Sequence, residues 1–220
     1  MKPPINWHEA LKLYLIGGTQ DVAGGDLVGL LAEAIKGGIT CFQLREKGPG
    51  SLKKGEAIEG LAKECQALCR RGNIPFIVND DVALAIKIKA DGVHVGQSDK
   101  GIRETLKAVK PYGIDVGLSI NTLKQFEEAL ELPLLDYVGI GPVFNTQSKV
   151  DAQPVVGLSL LNEAVRRSPE LPKVAIGGIT VANVGAVRAT GVDGVAVISA
   201  ITKSEAIRRR IQELGGGSSS

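Results

Sequence analysis

Along the chain, short runs of aliphatic and β-branched residues alternate with longer segments whose apolar positions recur every three or four residues. Eight of the short runs predict strands: LYLIGG (13–18), CFQLREK (41–47), PFIVND (75–80), GVHVGQ (92–97), DVGLSI (115–120), YVGIGP (137–142), KVAIGG (173–178) and GVAVIS (194–199). Each is followed by a helical pattern, over Asp26–Lys36, Leu52–Arg71, Val82–Lys87, Gly101–Val109, Leu123–Leu132, Leu158–Arg167, Ala182–Ala189 and Ser204–Leu214. In the first of these, Leu27, Leu30, Leu31, Ala34 and Ile35 fall on one face, as an amphipathic helix requires. Strands that are apolar almost throughout are buried on both faces, the environment of a parallel sheet covered by helices. Eight βα units with right-handed crossovers can close on themselves, so the pattern predicts a single (β/α)8 (TIM) barrel over residues 1–214. An open, doubly wound sheet of the same strands is the alternative. The terminal GGGSSS (215–220) has linker composition and is expected to be a flexible tail.

Composition narrows the partners more than the fold. The 220 residues, 44% hydrophobic, suit one core. Lys and Arg number 26 against 24 Asp and Glu, with no basic block and only 4% aromatics to stack on bases, which argues against nucleic acid. No apolar run approaches the ~20 residues of a membrane span, and MKPPINWHEA lacks the apolar stretch of a secretory signal. A cytoplasmic protein is expected. Cys41, Cys65 and Cys69 make no paired framework, so they read as reduced thiols in the core.

In a (β/α)8 barrel the C-terminal strand ends and the loops after them form the active site. Here those positions hold Gln43, Arg45 and Lys47; Asn79 and Asp80; Gln97 and Asp99; Ser119 and Asn121; then GPVFNTQSK, GGI and ISAI. On the second strand, alternation puts Phe42 and Leu44 on one face and Gln43, Arg45 and Lys47 on the other. A cation directed into a barrel interior calls for an anionic partner, and a phosphate or diphosphate fits. Asp80 and Asp99 offer carboxylates from adjacent strands, which suits Mg2+ with diphosphate oxygens completing its shell. Asp81 is better placed to cap the helix that starts at Val82. His94, mid-strand between two valines, reads as structural. GGIT and ISAIT each place small residues at the expected head of a helix, a second anion site. Thr146, Ser148 and Lys149, in the long loop after the sixth strand, could add hydroxyls and a cation.

Taken in order, QLREK, VND, GVHVGQSD, YVGIGPVFNTQSK, GLSLL, VAIGGIT and TGVDGVAVISAI resemble the thiamine-phosphate synthase family from Leu13 to Ile201. The resemblance implies a Mg2+-dependent transferase, commonly homodimeric. It would join 4-amino-5-hydroxymethyl-2-methylpyrimidine diphosphate to 4-methyl-5-(2-hydroxyethyl)thiazole phosphate, releasing diphosphate. It implies that Gln43, Arg45, Lys47, Asn79, Ser119 and Lys149 bind the pyrimidine diphosphate and that Asp80 and Asp99 hold the metal. Thr146, Ser148, Gly178, Ile198 and Ser199 would hold the thiazole phosphate, and Arg45, Lys47, Ser119 and Lys149 would carry the catalytic burden. Asn145 and Ser148 depart from the family's usual Pro and Thr, which bears on closure of that loop. Two other readings are a thiazole tautomerase, which relies on a histidine after the fifth strand where this chain has GLSINT, and a non-catalytic sensor of phosphate ligands.

Overall fold

The structure, a computed structural model, describes residues 3–53, 55–97, 101–146 and 154–216. Eight strands lie close to the predicted ones: β1 (Leu13–Gly17), β2 (Cys41–Leu44), β3 (Phe76–Asn79), β4 (Gly92–Val95), β5 (Asp115–Ile120), β6 (Tyr137–Ile140), β7 (Lys173–Ile176) and β8 (Gly194–Val197). They pair in sequence order, all parallel, and β8 closes on β1. The barrel is therefore closed, and the open-sheet alternative falls. Most strands stop short of their predicted ends. β2, for example, leaves the ladder at Leu44, so Arg45 and Lys47 sit just beyond it.

The helices are α1 (Trp7–Ala10), α2 (Leu27–Gly37), α3 (Glu56–Arg71), α4 (Val82–Ile88), α5 (Ile102–Val109), α6 (Leu123–Leu130), α7 (Gly157–Arg167), α8 (Val184–Arg188), α9 (Ser199–Thr202) and α10 (Ile207–Gly215). Their starts follow local capping chemistry. Asp26 accepts from Gly29 N at 2.8 Å, Asp81 from Leu84 N at 2.9 Å, and Thr122 with Gln125 forms a reciprocal capping box. Three differences from the sequence pattern matter. The helix expected from Leu52 begins at Glu56, and the one expected from Ala182 begins at Val184. The last predicted helix is preceded by a separate turn, α9, directly at the end of β8.

Alternation along the strands divides the buried residues into two shells. Phe42, Leu44, Val78, Val93, Val116 and Val138 face outward and pack with Leu31, Ala62, Cys65 and Leu161 of the helices. Tyr14, Ile16, Cys41, Ile77, Tyr137, Val174 and Ala196 face inward and fill the barrel. α1, which no periodicity announced, seals the N-terminal end. Trp7 stacks on Tyr137 with ring centroids 4.4 Å apart and donates its indole N–H to Asp115 Oδ2 at 3.0 Å.

The same end is latched strand by strand. Asp91 accepts from Phe76 N (2.8 Å), Asp136 from Val116 N (2.6 Å) and Asp193 from Lys173 N (2.7 Å). In each case the aspartate directly before the next strand accepts from an N–H in the first two residues of the preceding strand, a group that would otherwise be orphaned. These latches fix the strand register at the floor, and so the height of every residue at the mouth.

Candidate active site at the barrel mouth

Inward positions near the strands' C-terminal ends surround a cavity of about 300 Å3. Arg45 and Lys47 of the segment after β2, Asn79 and Asp80 at the end of β3, and Ser119 of β5 line it. So do Gln43 of β2, Thr146, Gly178, Ile198 and Ser199. The sequence-derived site residues within the described segments thus meet in one place. Asp99, Ser148 and Lys149 lie outside the described residues.

Each position has a local cause. Arg45 is only 5% exposed, so its charge is largely removed from water. Its backbone is held on both sides: Arg45 N donates to Gly17 O at 2.9 Å, and Arg45 O accepts from Gln20 Nε2 at 2.8 Å. Asp21 in the same loop is raised by burial, against the opposing pull of the Gly18 N–H and the Arg45 guanidinium. Glu46 points the other way, as its parity requires. It accepts from Thr19 N (2.5 Å), Thr19 Oγ1 (2.9 Å) and Leu52 N (2.7 Å), clamping the loops after β1 and β2 together.

Lys47 Nζ lies 3.2 Å from Asp80 Oδ2, with side chains 47% and 28% exposed. A pair so accessible to solvent is worth roughly 0.2–1 kcal/mol, so an arriving anion and cation can separate it at little cost. Asp80 holds a positive φ of 60°, and its N–H donates to His94 O at 2.9 Å. A non-glycine residue in that region is strained, and here the strain turns the carboxylate over the mouth. Asp80 and Asn79 supply hard oxygen donors, the type that suits Mg2+.

The opposite wall is built from small residues. Gly178 has φ 64°, and a Cβ there would lie 2.5 Å from Asn145 O and 2.8 Å from Phe144 Cβ. The loop after β6 therefore rests directly on the turn after β7, a contact reinforced by Phe144 N donating to Gly177 O at 3.0 Å. α8 starts six residues beyond Gly178, so no helix head sits at GGI as expected. A turn closed by Asn183 Nδ2 to Gly178 O (2.9 Å) takes its place, whereas α9 does begin at the mouth with Ser199.

Sequence reading gave no role to Tyr14 or Tyr137 and took His94 as structural. Tyr14 and His94 line the cavity floor, and Tyr137 lies beneath them. Their inward parity was readable; their mutual contact across 43 and 123 residues of chain was not.

A closed parallel barrel that gathers cations, a carboxylate and two small-residue loops at its C-terminal mouth belongs to the class that handles anionic small molecules. The profile of the family described as thiamine monophosphate synthase matches residues 13–201. A thiamine-phosphate synthase of Listeria monocytogenes is 49% identical over 204 residues, covering 93% of this chain and 95% of that protein. One from Pasteurella multocida is 45% identical over 222 residues, covering 98% and 99%. A solved structure of thiamine phosphate pyrophosphorylase from Pyrococcus furiosus superposes with a TM-score of 0.81 at 34% identity, covering 95% of this chain and 96% of that one. The chain belongs to the thiamine-phosphate synthase family.

Proposed function

We propose that the chain joins 4-amino-5-hydroxymethyl-2-methylpyrimidine diphosphate to 4-methyl-5-(2-hydroxyethyl)thiazole phosphate, giving thiamine phosphate and diphosphate. Family membership supports the reaction. The observation that carries the site assignment is the convergence of Gln43, Arg45, Lys47, Asn79, Asp80 and Ser119, from three strands, against Gly178, Ile198 and Ser199 across one cavity.

Gln43, Asn79 and Ser119 orient the pyrimidine diphosphate. Thr146, Ser148, Gly178, Ile198 and Ser199 hold the thiazole phosphate opposite it. The bond to be broken joins a benzylic-type carbon to the diphosphate, and the aminopyrimidine delocalises the positive charge left behind. The leaving group therefore needs most of the help. Arg45, Lys47 and Lys149 stabilise the charge growing on it, and the held thiazole nitrogen attacks without a protein base. Among the described residues lining the cavity the sole imidazole is that of His94, whose ring partners include Tyr137 and Ser119. Asp80 and Asp99 would hold Mg2+, which supplies further charge neutralisation at the diphosphate when bound.

Incubation with both substrates and Mg2+ is the deciding experiment. Equimolar release of diphosphate and thiamine phosphate is expected, and the absence of both would sink the reading. Residues 1–214 are proposed to act as one domain, and the family resemblance supports a cytoplasmic homodimer. Light scattering after gel filtration should give the mass of two chains; a one-chain mass would overturn the dimer.

A further inference from the structure

We infer that Tyr14, Tyr137 and His94 are positioning residues. They form a proton-ordered relay across the barrel interior that fixes the Ser119 hydroxyl as a hydrogen-bond donor into the cavity.

The relay is continuous. Gln43 Nε2 donates to Tyr14 Oη at 2.8 Å, Tyr14 Oη lies 3.0 Å from Tyr137 Oη, and Tyr137 Oη lies 3.1 Å from His94 Nδ1. His94 Nε2 then lies 3.0 Å from Ser119 Oγ. Gln43 and Tyr14 are 1% exposed, Tyr137 0% and His94 9%. Five polar groups thus cross a space that apolar side chains could have filled.

The backbone is cut to make room for them. A Cβ at Gly117 would lie 2.2 Å from Tyr137 Cζ and 2.5 Å from His94 Nδ1. One at Gly139 would lie 3.2 Å from His94 Cε1. Gly117, on β5 between the strands that carry the two rings, must lack a side chain for the rings to meet, and at Gly139 on β6 a Cβ would press closely on the imidazole.

Proton bookkeeping sets the direction. Tyr14 accepts from the Gln43 amide, so its own proton goes to Tyr137, and the Tyr137 proton goes to His94 Nδ1. A neutral imidazole has one donor and one acceptor nitrogen, so Nε2 carries the proton and gives it to Ser119 Oγ. Ser119 has then accepted a bond and has its own proton left to donate. In the reverse order, with the imidazole proton on Nδ1, Tyr14 would face two donors. Its proton would be left with the Cys41 sulfur, a weak acceptor, among the contacts described. Inside a low-dielectric barrel that mismatch is costly, which favours one order.

The functional consequence rests on the reading of Ser119 as a contact to the diphosphate. Phosphate oxygens are acceptors. A hydroxyl locked as a donor meets them without reorganising, whereas one that donated inward to His94 would turn a lone pair toward an anion.

The sequence holds two histidines, so replacing His8 by Asn leaves one ring to observe. In protein labelled with 15N-histidine, a long-range proton–nitrogen spectrum of the ligand-free enzyme should show a neutral His94 protonated on Nε2. A proton on Nδ1, or on both nitrogens at neutral pH, would overturn the relay, and this readout does not depend on the synthase reading. Kinetically, Tyr137→Phe should lower kcat about 10-fold with KM little changed, and should have no further effect in a Ser119→Ala background. Equal losses in both backgrounds would overturn it. His94→Gln, which keeps one donor and one acceptor, should recover most of the turnover that His94→Leu loses, with both variants checked for cooperative melting.

Discussion

At Arg45 and Asp80, local structure and chemistry cannot be separated. Burial strips the Arg45 guanidinium of water, so its field acts strongly on an anion that enters the cavity, and its backbone is pinned from both sides. Arg45→Ala should therefore cut turnover by at least ~100-fold, as should Asp80→Ala, measured as diphosphate release with melting temperature followed in parallel. Near-normal rates would refute either assignment. Glu46→Gln tests a different role. It weakens the clamp between two loops, so it should lower the melting temperature and raise KM for the diphosphate substrate while leaving kcat within a few-fold. Parity along CFQLREK made this division legible, since the inward and outward residues of the second strand were readable from spacing alone. The capping role of Asp81 was equally legible, because it depends on the next three residues. The role of His94 was not. Its partners come from strands 25 and 43 positions away, and a single histidine between valines carries no trace of them.

Element boundaries followed local signals where caps exist and drifted where loops decide. The eight strands and their order were legible because each is a complete apolar run. The turn after β7 was not, because the left-handed Gly178 and the Asn183 side chain close it before any helix starts. Gly178→Ala tests how tightly that turn is packed. Its Cβ would strike the loop after β6, so kcat/KM should fall at least ~10-fold, seen mainly as a raised KM for the thiazole phosphate. Along α3, Cys65 and Cys69 sit against the sheet, and burial pushes the Cys65 thiol up to about 12 and that of Cys69 further. Few thiolates are then available at pH 8, so native protein should be carboxymethylated at least ~100-fold more slowly than protein in denaturant. Rapid labelling of the folded enzyme would contradict the packing.

Across the whole molecule, the two ends of the barrel divide the labour. The floor is tied by aspartate latches and by α1, while the mouth carries loops and charges. Deleting the large buried side chain in Trp7→Ala should cost about 3–5 kcal/mol, or very roughly 10 °C in melting temperature. Chelation by EDTA should do the reverse, stopping turnover with little change in melting temperature, and returning Mg2+ should restore it. Closure itself was expected from eight βα units, whereas the stopper at the floor was not, since a four-residue helix is too short to announce itself by periodicity.

Yet the insulation between the ends is broken at one ring. Tyr137 lies under Trp7 on one side and bonds His94 on the other, so it belongs to the foundation and to the working parts at once. A cut aspartate latch at the floor would reach the mouth only through strand register. Loosening Trp7 would be audible there while the barrel is still folded, because the ring it steadies is the one that hands its proton toward Ser119.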